Sequence, residues 1–405
     1  MQRLPHGVLL LFAFTVPWEY SLELGEPWGN IARLAGLIVF ALALSLALAK
    51  GRVRRPGLAL WLSLALFLWL CCTVFWTVDT QATLERLRAM LQETVVVWFV
   101  WELCEDQGDL RRLLIATLAG CWVLAALTYA DALSAHIAGI APTRFSASGQ
   151  DPNDAARLLD FGFPLAALLF DLTSRQVWRV ILLGYFPAGL LAVVLTASRG
   201  GVLTAMVALA GAGVLLVWHH PRRTVAGILI SPLLLGLMWL LIPTAPLERL
   251  ATIPDQLRHG DLNQRVNIWD AGWRSFVEAP WLGHGAGTFV TATGLATGAT
   301  AHDTALSLLV ESGLIGMALA LALLVVLARE AMKTRGSLRV GLCTLLAVWG
   351  VASLVGTLDE TRMTWLLFGI IALAGRVNAD PVTEGAEART KLAGRPAAPL
   401  RRSLS

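Results

Sequence analysis

The feature that most constrains this chain is the recurrence of continuous apolar stretches about 20 residues long, set apart by short charged loops. Only 15% of the residues are Asp, Glu, Lys or Arg and 56% are hydrophobic, a balance that excludes an ordinary soluble domain. The apolar runs are continuous and do not alternate, so they read as helices and not as strands of a barrel. The expected fold is therefore all-α: a polytopic membrane protein with about 12 transmembrane helices and a helical periplasmic loop. The first run, 7–18, has no small-residue cleavage motif, and a basic run follows only after the second span. It reads as a retained helix and not as a signal peptide. All five cysteines lie inside apolar runs without metal-ligand spacing and read as packing residues.

The expected spans are 7–24, 30–49, 57–76, 84–104, 111–135, 157–173, 177–197, 200–218, 224–243, 303–328, 338–357 and 362–376. This divides the chain into helices one to nine (1–243), a polar loop (244–302), helices ten to twelve (303–376) and a disordered cytoplasmic tail (377–405). Basic loops such as KGRVRR (50–55), SRQVWR (174–179) and REAMKTRGSLR (329–339) fall on alternate sides of the spans. They mark one face as cytoplasmic and place both termini there. The loop 244–302 and the smaller loop 136–156 then face the other side, outside, which in a bacterium is the periplasm. The net charge of +4 belongs to this topology signal and does not call for nucleic acid.

The three lysines are all cytoplasmic on this map, whereas the outer side carries only arginines: Arg144, Arg157, Arg199, Arg249, Arg258, Arg265, Arg274 and Arg362. Outer positive charge opposes the topology bias. Arginine offers a planar fork that binds phosphate oxygens and stays charged when partly desolvated, so a diphosphate at the membrane surface is the natural guest. Pairing with acids such as Glu248, Asp255 and Asp270, or with lipid headgroups, is the plainer alternative for any one of them. Arg199 ends an apolar run in TASRGG (196–201), a costly depth for a charge. Gly200 and Gly201 beside it read as room for a large group to approach the backbone. Arg265 opens an amphipathic pattern in which Trp269, Gly272 and Phe276 share its face. His302 begins HDTALSLLVESGLIG (302–316), where a polar start runs straight into the next apolar span. An imidazole there can take a proton from a sugar hydroxyl near neutral pH, or simply anchor the span. His136, His259 and His284 are the other outer histidines, and His284 in LGHGAG can be a turn residue only. No HExxH is present, and Glu19, Glu23, Glu26, Asp151 and Asp154 are too loosely spaced for a metal site, so no metal and no cofactor is expected. The chain has no phosphate-binding loop of the ATPase kind and no dinucleotide fingerprint.

Several of these stretches together resemble the O-antigen ligase family. They are SRGG after an apolar run, then R-x-x-x-W-x-x-A (265–272) followed by APWLGHGAGTF, then H-D-x-x-L with E-S-G-L-I-G; DPNDAA (151–156) also looks like a family element. The resemblance covers roughly 145–375. It implies a helical glycosyltransferase of the lipid-donor type that moves a glycan from undecaprenyl diphosphate to a sugar hydroxyl of lipid A–core at the outer face of the inner membrane, without metal. By position, Arg199 and Arg265 match the family's essential arginines and His302 its essential histidine. Arg144, Asn153, Trp269, Asp359 and Arg362 are the lesser candidates for holding diphosphate or glycan. Where the family commonly has H-N, this chain has His302–Asp303. An O-antigen polymerase or a protein O-glycan ligase shares the chemistry and differs in acceptor. A secondary transporter is the competing class, but it would show internal symmetry and a mid-membrane site.

Overall fold

The computed structural model describes residues 3–25, 29–140, 142–219, 244–254, 265–296 and 300–379. The expected span 224–243, Asp255, Arg258, His259 and the tail beyond 379 lie outside the described residues. Among the described residues no strand forms beyond one isolated bridge, Glu23 with Asn30. The helices are α1 (Arg3–Thr15), α2 (Ile31–Lys50), α3 (Leu58–Cys72), α4 (Thr80–Leu103), α5 (Gln107–Ile137), α6 (Pro152–Asp171), α7 (Gln176–Leu195) and α8 (Arg199–His219). They continue as α9 (Thr244–Ala251), α10 (Arg265–Glu278), α11 (Phe289–Thr293), α12 (Thr304–Lys333), α13 (Gly336–Ser353) and α14 (Arg362–Ala379). Their starts are set by short polar caps. Asn30, Asp79, Asp106, Asp151 and Asp303 each accept a hydrogen bond from a backbone N–H of the first turn.

Seven described segments are long and apolar enough to cross a membrane: α2, α3 with its continuation to Phe75, α5, α7, α8, α12 and α13. The expected spans 84–104, 157–173 and 362–376 coincide with α4, α6 and α14, which are less apolar for a physical reason. They are walled by other helices more than by lipid. Every residue of α6 from Leu159 to Phe170 is buried, as is every residue of α14 from Met363 to Gly375. Such helices can carry Arg86, Glu93, Arg157 and Asp160 on faces that never meet hydrocarbon. The first expected span resolves into α1, only 13 residues long, and a 3₁₀ turn at Val16–Ser21.

Helix α6 is packed on α5, α7, α8 and α13, and α14 is packed on α4 and α12. Small residues bring these helices close. A Cβ on Gly201 would lie 2.4 Å from Cβ of Ala156, and one on Gly200 3.1 Å from Val355. The glycine pair after Arg199 is thus filled by the protein's own helices, and the space expected there for a bound group is not open.

The expected smooth entry of 302–316 into a span is also corrected. Helix α12 breaks at Gly313, whose φ of 65° and ψ of −167° only glycine adopts readily. The turn 280–285 fills the break. Leu314 and Ile315 donate to the Pro280 and Trp281 carbonyls, while His284 and Gly285 donate to the carbonyls of Val310 and Glu311. Freed backbone groups are thereby satisfied where protein covers them. Large apolar side chains exposed on α12 begin at Leu314, and 314–333 alone is about 30 Å of helix, one hydrocarbon thickness. A Cβ at Gly313 would sit 2.3 Å from the Trp281 carbonyl oxygen. Gly313→Ala should therefore destabilise the protein by at least about 1–3 kcal/mol, read as a lower unfolding midpoint in detergent. An unchanged midpoint would contradict this packing.

Candidate active site

Four stretches meet at one end of the bundle: the loop 142–151 with the start of α6, the turn between α7 and α8, the end of α9 and the start of α10, and residues 300–304 with the turn 354–361. Asp151 caps α6, and its Oδ1 accepts from the Asn153 N–H at 2.8 Å. The Asn153 side-chain oxygen in turn accepts from Arg144 Nη2 at 2.7 Å and from the Ser198 hydroxyl at 3.0 Å. Arg144 Nε donates to the Thr196 carbonyl at 3.0 Å. Asn153 is thus a clamp between two arginine-bearing elements, and the Ser198 hydroxyl also accepts from Gly201 N–H in the first turn of α8.

Arg199 is the first residue of α8, where the positive end of the helix dipole opposes a cation. Helix stability therefore does not explain it. Its Nη2 donates to the Thr252 hydroxyl at 2.5 Å, and that hydroxyl donates to the Arg249 carbonyl at 2.7 Å. Arg144, Arg199 and Arg249 gather here. Burial, then the charges of Arg249 and Arg199, hold the Arg144 guanidinium below its usual value, against the pull of Asp151. A group that neutralises these cations is stabilised by all of them.

His302 and Arg265 form a second group, which shares the influence of Asp151 with the first. His302 has a left-handed backbone, φ 49°, uncommon for a residue with a side chain. The conformation is held from both sides. Trp269 Nε1 donates to the Ala301 carbonyl at 3.1 Å, and Asp303 caps α12 by accepting from the Leu306 N–H at 2.8 Å. Asn or Asp can make that cap equally, so the H-D pair keeps the architecture of H-N. Thr304 bonds to Gly356 and Leu358, tying this start to the turn 354–361. The Thr300 hydroxyl lies 3.2 Å from the imidazole. Burial, then Arg265 and Arg157, push the His302 imidazole below its ordinary 6.5, opposed by Asp151 and Asp154. Burial and Arg157 likewise lower Arg265. Asp151 acts on Arg144, Arg265 and His302 alike, so the start of α6 joins the two cationic groups.

The structure separates the candidates. It brings His302, Arg265, Arg199, Arg144 and Asn153 to one end, around Asp151. Trp269 is there too, but its indole N–H is spent on Ala301. Asp359 and Arg362 are turned to internal ion pairs. Arg86 binds both Asp359 and Glu360, and Arg362 binds Glu19. Burial pushes the Asp359 carboxyl up against the pull of Arg86, and the Asp359 backbone carbonyl accepts from Trp365 Nε1. These two residues brace the turn behind His302. His284 Nε2 lies 2.8 Å from the Ser275 carbonyl and ties the glycine turn to α10. Residues without an individual role from sequence prove central. Arg157, 4% exposed, pairs with Asp154 and donates to the Val355 carbonyl, and Arg249 completes the first arginine group. Their only sequence signal is membership of the outer arginines. Among the described residues no group of three or more His, Cys, Asp or Glu is placed to hold a metal ion.

Trp269→Phe keeps the ring and removes the bond to Ala301. A hydrogen bond is worth on the order of 1 kcal/mol, so its loss should slightly lower the unfolding midpoint and, by loosening Ala301 and His302, reduce turnover about fivefold. Unaltered turnover would show that Ala301 needs no anchor.

Fold and site together define a multi-pass helical membrane protein with arginines and one histidine converging at helix starts. Residues 184–321 match the family model described as O-Antigen ligase. The match includes Arg199, Arg249, Arg265 and His302. No curated protein matches the chain.

Proposed function

We propose that the chain is an O-antigen ligase, a glycosyltransferase of the helical, lipid-donor type. It transfers a glycan from undecaprenyl diphosphate to a sugar hydroxyl of lipid A–core at the periplasmic face of a bacterial inner membrane, with twelve spans and both termini in the cytoplasm. The observation that carries this reading is a neutral-leaning His302 under the charge of Arg265, with Arg199 in the neighbouring arginine group, all inside the family match. Arg144, Arg199, Arg249 and Arg265 hold the donor diphosphate. His302 takes the proton from the acceptor hydroxyl, that oxygen bonds to the anomeric carbon, and the bond from carbon to the diphosphate oxygen breaks. Undecaprenyl diphosphate leaves with the bonding pair. The negative charge that grows on it is met by guanidinium groups already in place, and the chain's own residues supply every group this scheme uses.

Purified protein in liposomes should transfer glycan between the two lipids with neither nucleotide nor ion gradient. Gradient-driven uptake without transfer would make it a transporter and end the proposal. Cysteine labelling at positions 255 and 335 should report opposite sides of the membrane, and the same side for both would sink the orientation.

A further inference from the structure

A second feature lies apart from the arginine site, in the wall of the bundle. Helices α2 and α4 pack against each other. Phe40 meets Trp98 edge to face, centroids 6.0 Å apart, and closes one end of a groove between them. The floor is Phe12 of α1 with Val96 and Phe99 of α4, all buried. Gly36 leaves the groove open: a Cβ there would lie 3.2 Å from the Phe12 ring. The opposite end is polar, lined by Arg33, Gln92 and Arg362. Arg362 is paired with Glu19. Among the described residues Arg33 forms no ion pair and its buried Nε has no hydrogen-bond partner. Glu23, the other described acid of the preceding turn, is exposed. Among the described residues, then, no carboxylate pairs with Arg33, and the polar end carries a positive charge at the mouth of an apolar slot; Glu26 lies outside the described residues.

We propose that this groove binds an anionic phospholipid, with one acyl chain between α2 and α4 and the headgroup phosphate on Arg33. The seven-residue rise from Arg33 to Phe40 is about 10 Å, enough for the upper part of a single chain. The exposed side chains of Leu37 and Leu91 flank the opening, so a chain enters sideways from the bilayer. The glycan donor fits poorly. The turn Val16–Ser21 stands between this end and the arginine site, with Glu19 on Arg362 and the Tyr20 carbonyl 2.5 Å from a Cβ position on Gly149. A guanidinium that faces one headgroup contributes on the order of 1 kcal/mol, so the preference for an anionic over a zwitterionic lipid should be about fivefold. This site stands independently of the transferase reading.

The test is native mass spectrometry of delipidated full-length protein titrated with dioleoylphosphatidylglycerol or dioleoylphosphatidylcholine. Wild type should retain the glycerol lipid about fivefold better. Arg33→Gln should bring the ratio close to one, and Gly36→Leu should lower retention of both lipids. Leu91→Trp blocks the same slot from the other wall and replaces Gly36→Leu if that variant does not fold. Equal retention of the two lipids by wild type overturns the proposal, as does an unchanged ratio in Arg33→Gln. Displacement by inorganic phosphate alone would reduce the site to a bare anion contact and reject the acyl slot. Displacement by undecaprenyl phosphate at equal concentration would give the groove to the donor lipid and reject the phospholipid.

Discussion

His302→Ala is expected to reduce glycan transfer by on the order of 10²–10⁴-fold, the contribution of a positioned general base, while the protein still folds and still binds undecaprenyl diphosphate. A sugar hydroxyl is a poor nucleophile at neutral pH and gains most from a base at bonding distance. The surroundings of His302 suit that role. Burial and the charges of Arg265 and Arg157 all disfavour the imidazolium, so the ring stays ready to accept a proton as the pH falls. The sign follows directly. The acidic limb of kcat/KM, which reports the free enzyme, should lie below 6.5. Bound diphosphate brings negative charge close to the ring and favours its protonated form, so the limb of kcat should lie at higher pH than that of kcat/KM. Alanine at a left-handed position adds a backbone cost. His302→Asn tolerates that conformation and offers no base of suitable strength, so it should fail in the same way. Transfer near the wild-type rate in His302→Asn across pH 6 to 8 would remove the base from the mechanism and leave His302 as an anchor.

The second large effect is expected at the arginines. Arg265→Lys and Arg199→Lys should each lower transfer by about 10²–10³-fold, the scale seen when one donor to a developing charge is removed. Lysine keeps the charge but presents a single point in place of a planar fork. The two variants should differ in character. Arg265 also holds the His302 proton affinity down, and lysine preserves that charge, so the acidic limb of the residual activity should move little. Arg265→Gln removes the charge and should shift the limb to higher pH. Arg199 sits with Arg144 and Arg249, so its replacement should raise the concentration of donor needed for half-saturation. Full activity in both lysine variants would argue against recognition by a fork.

Much of this arrangement is legible in the amino-acid sequence because lipid imposes a simple rule on what it touches. The spans with lipid-facing sides, such as α2 and α7, announce themselves by continuous hydropathy. The arginines at 199 and 265 and the histidine at 302 stand out because charge at a membrane surface needs a reason. What escapes is contact between distant stretches. Nothing near His302 says that Trp269 holds the carbonyl of Ala301, 32 positions after it. Arg157 reads as one charge at the start of a span, whereas it faces Val355, 198 positions away. The break at Gly313 escapes as well, because the Trp281 carbonyl that demands a glycine arrives from another element. Asp359 and Arg362 look like members of the site because LDETR begins near the correct surface. Their partners, Arg86 and Glu19, come from α4 and the first turn, and no local pattern reveals them.

The most direct test of the central claim is a single-turnover ligation assay with purified protein, a defined glycan on undecaprenyl diphosphate, and lipid A acceptors carrying progressively truncated cores. The account predicts one glycan added per acceptor and one undecaprenyl diphosphate released for each transfer. It also predicts activity that ends abruptly at the truncation removing the accepting sugar, and none in His302→Asn. Elongation of the glycan on the donor lipid, or transfer that persists undiminished in His302→Asn, would contradict it.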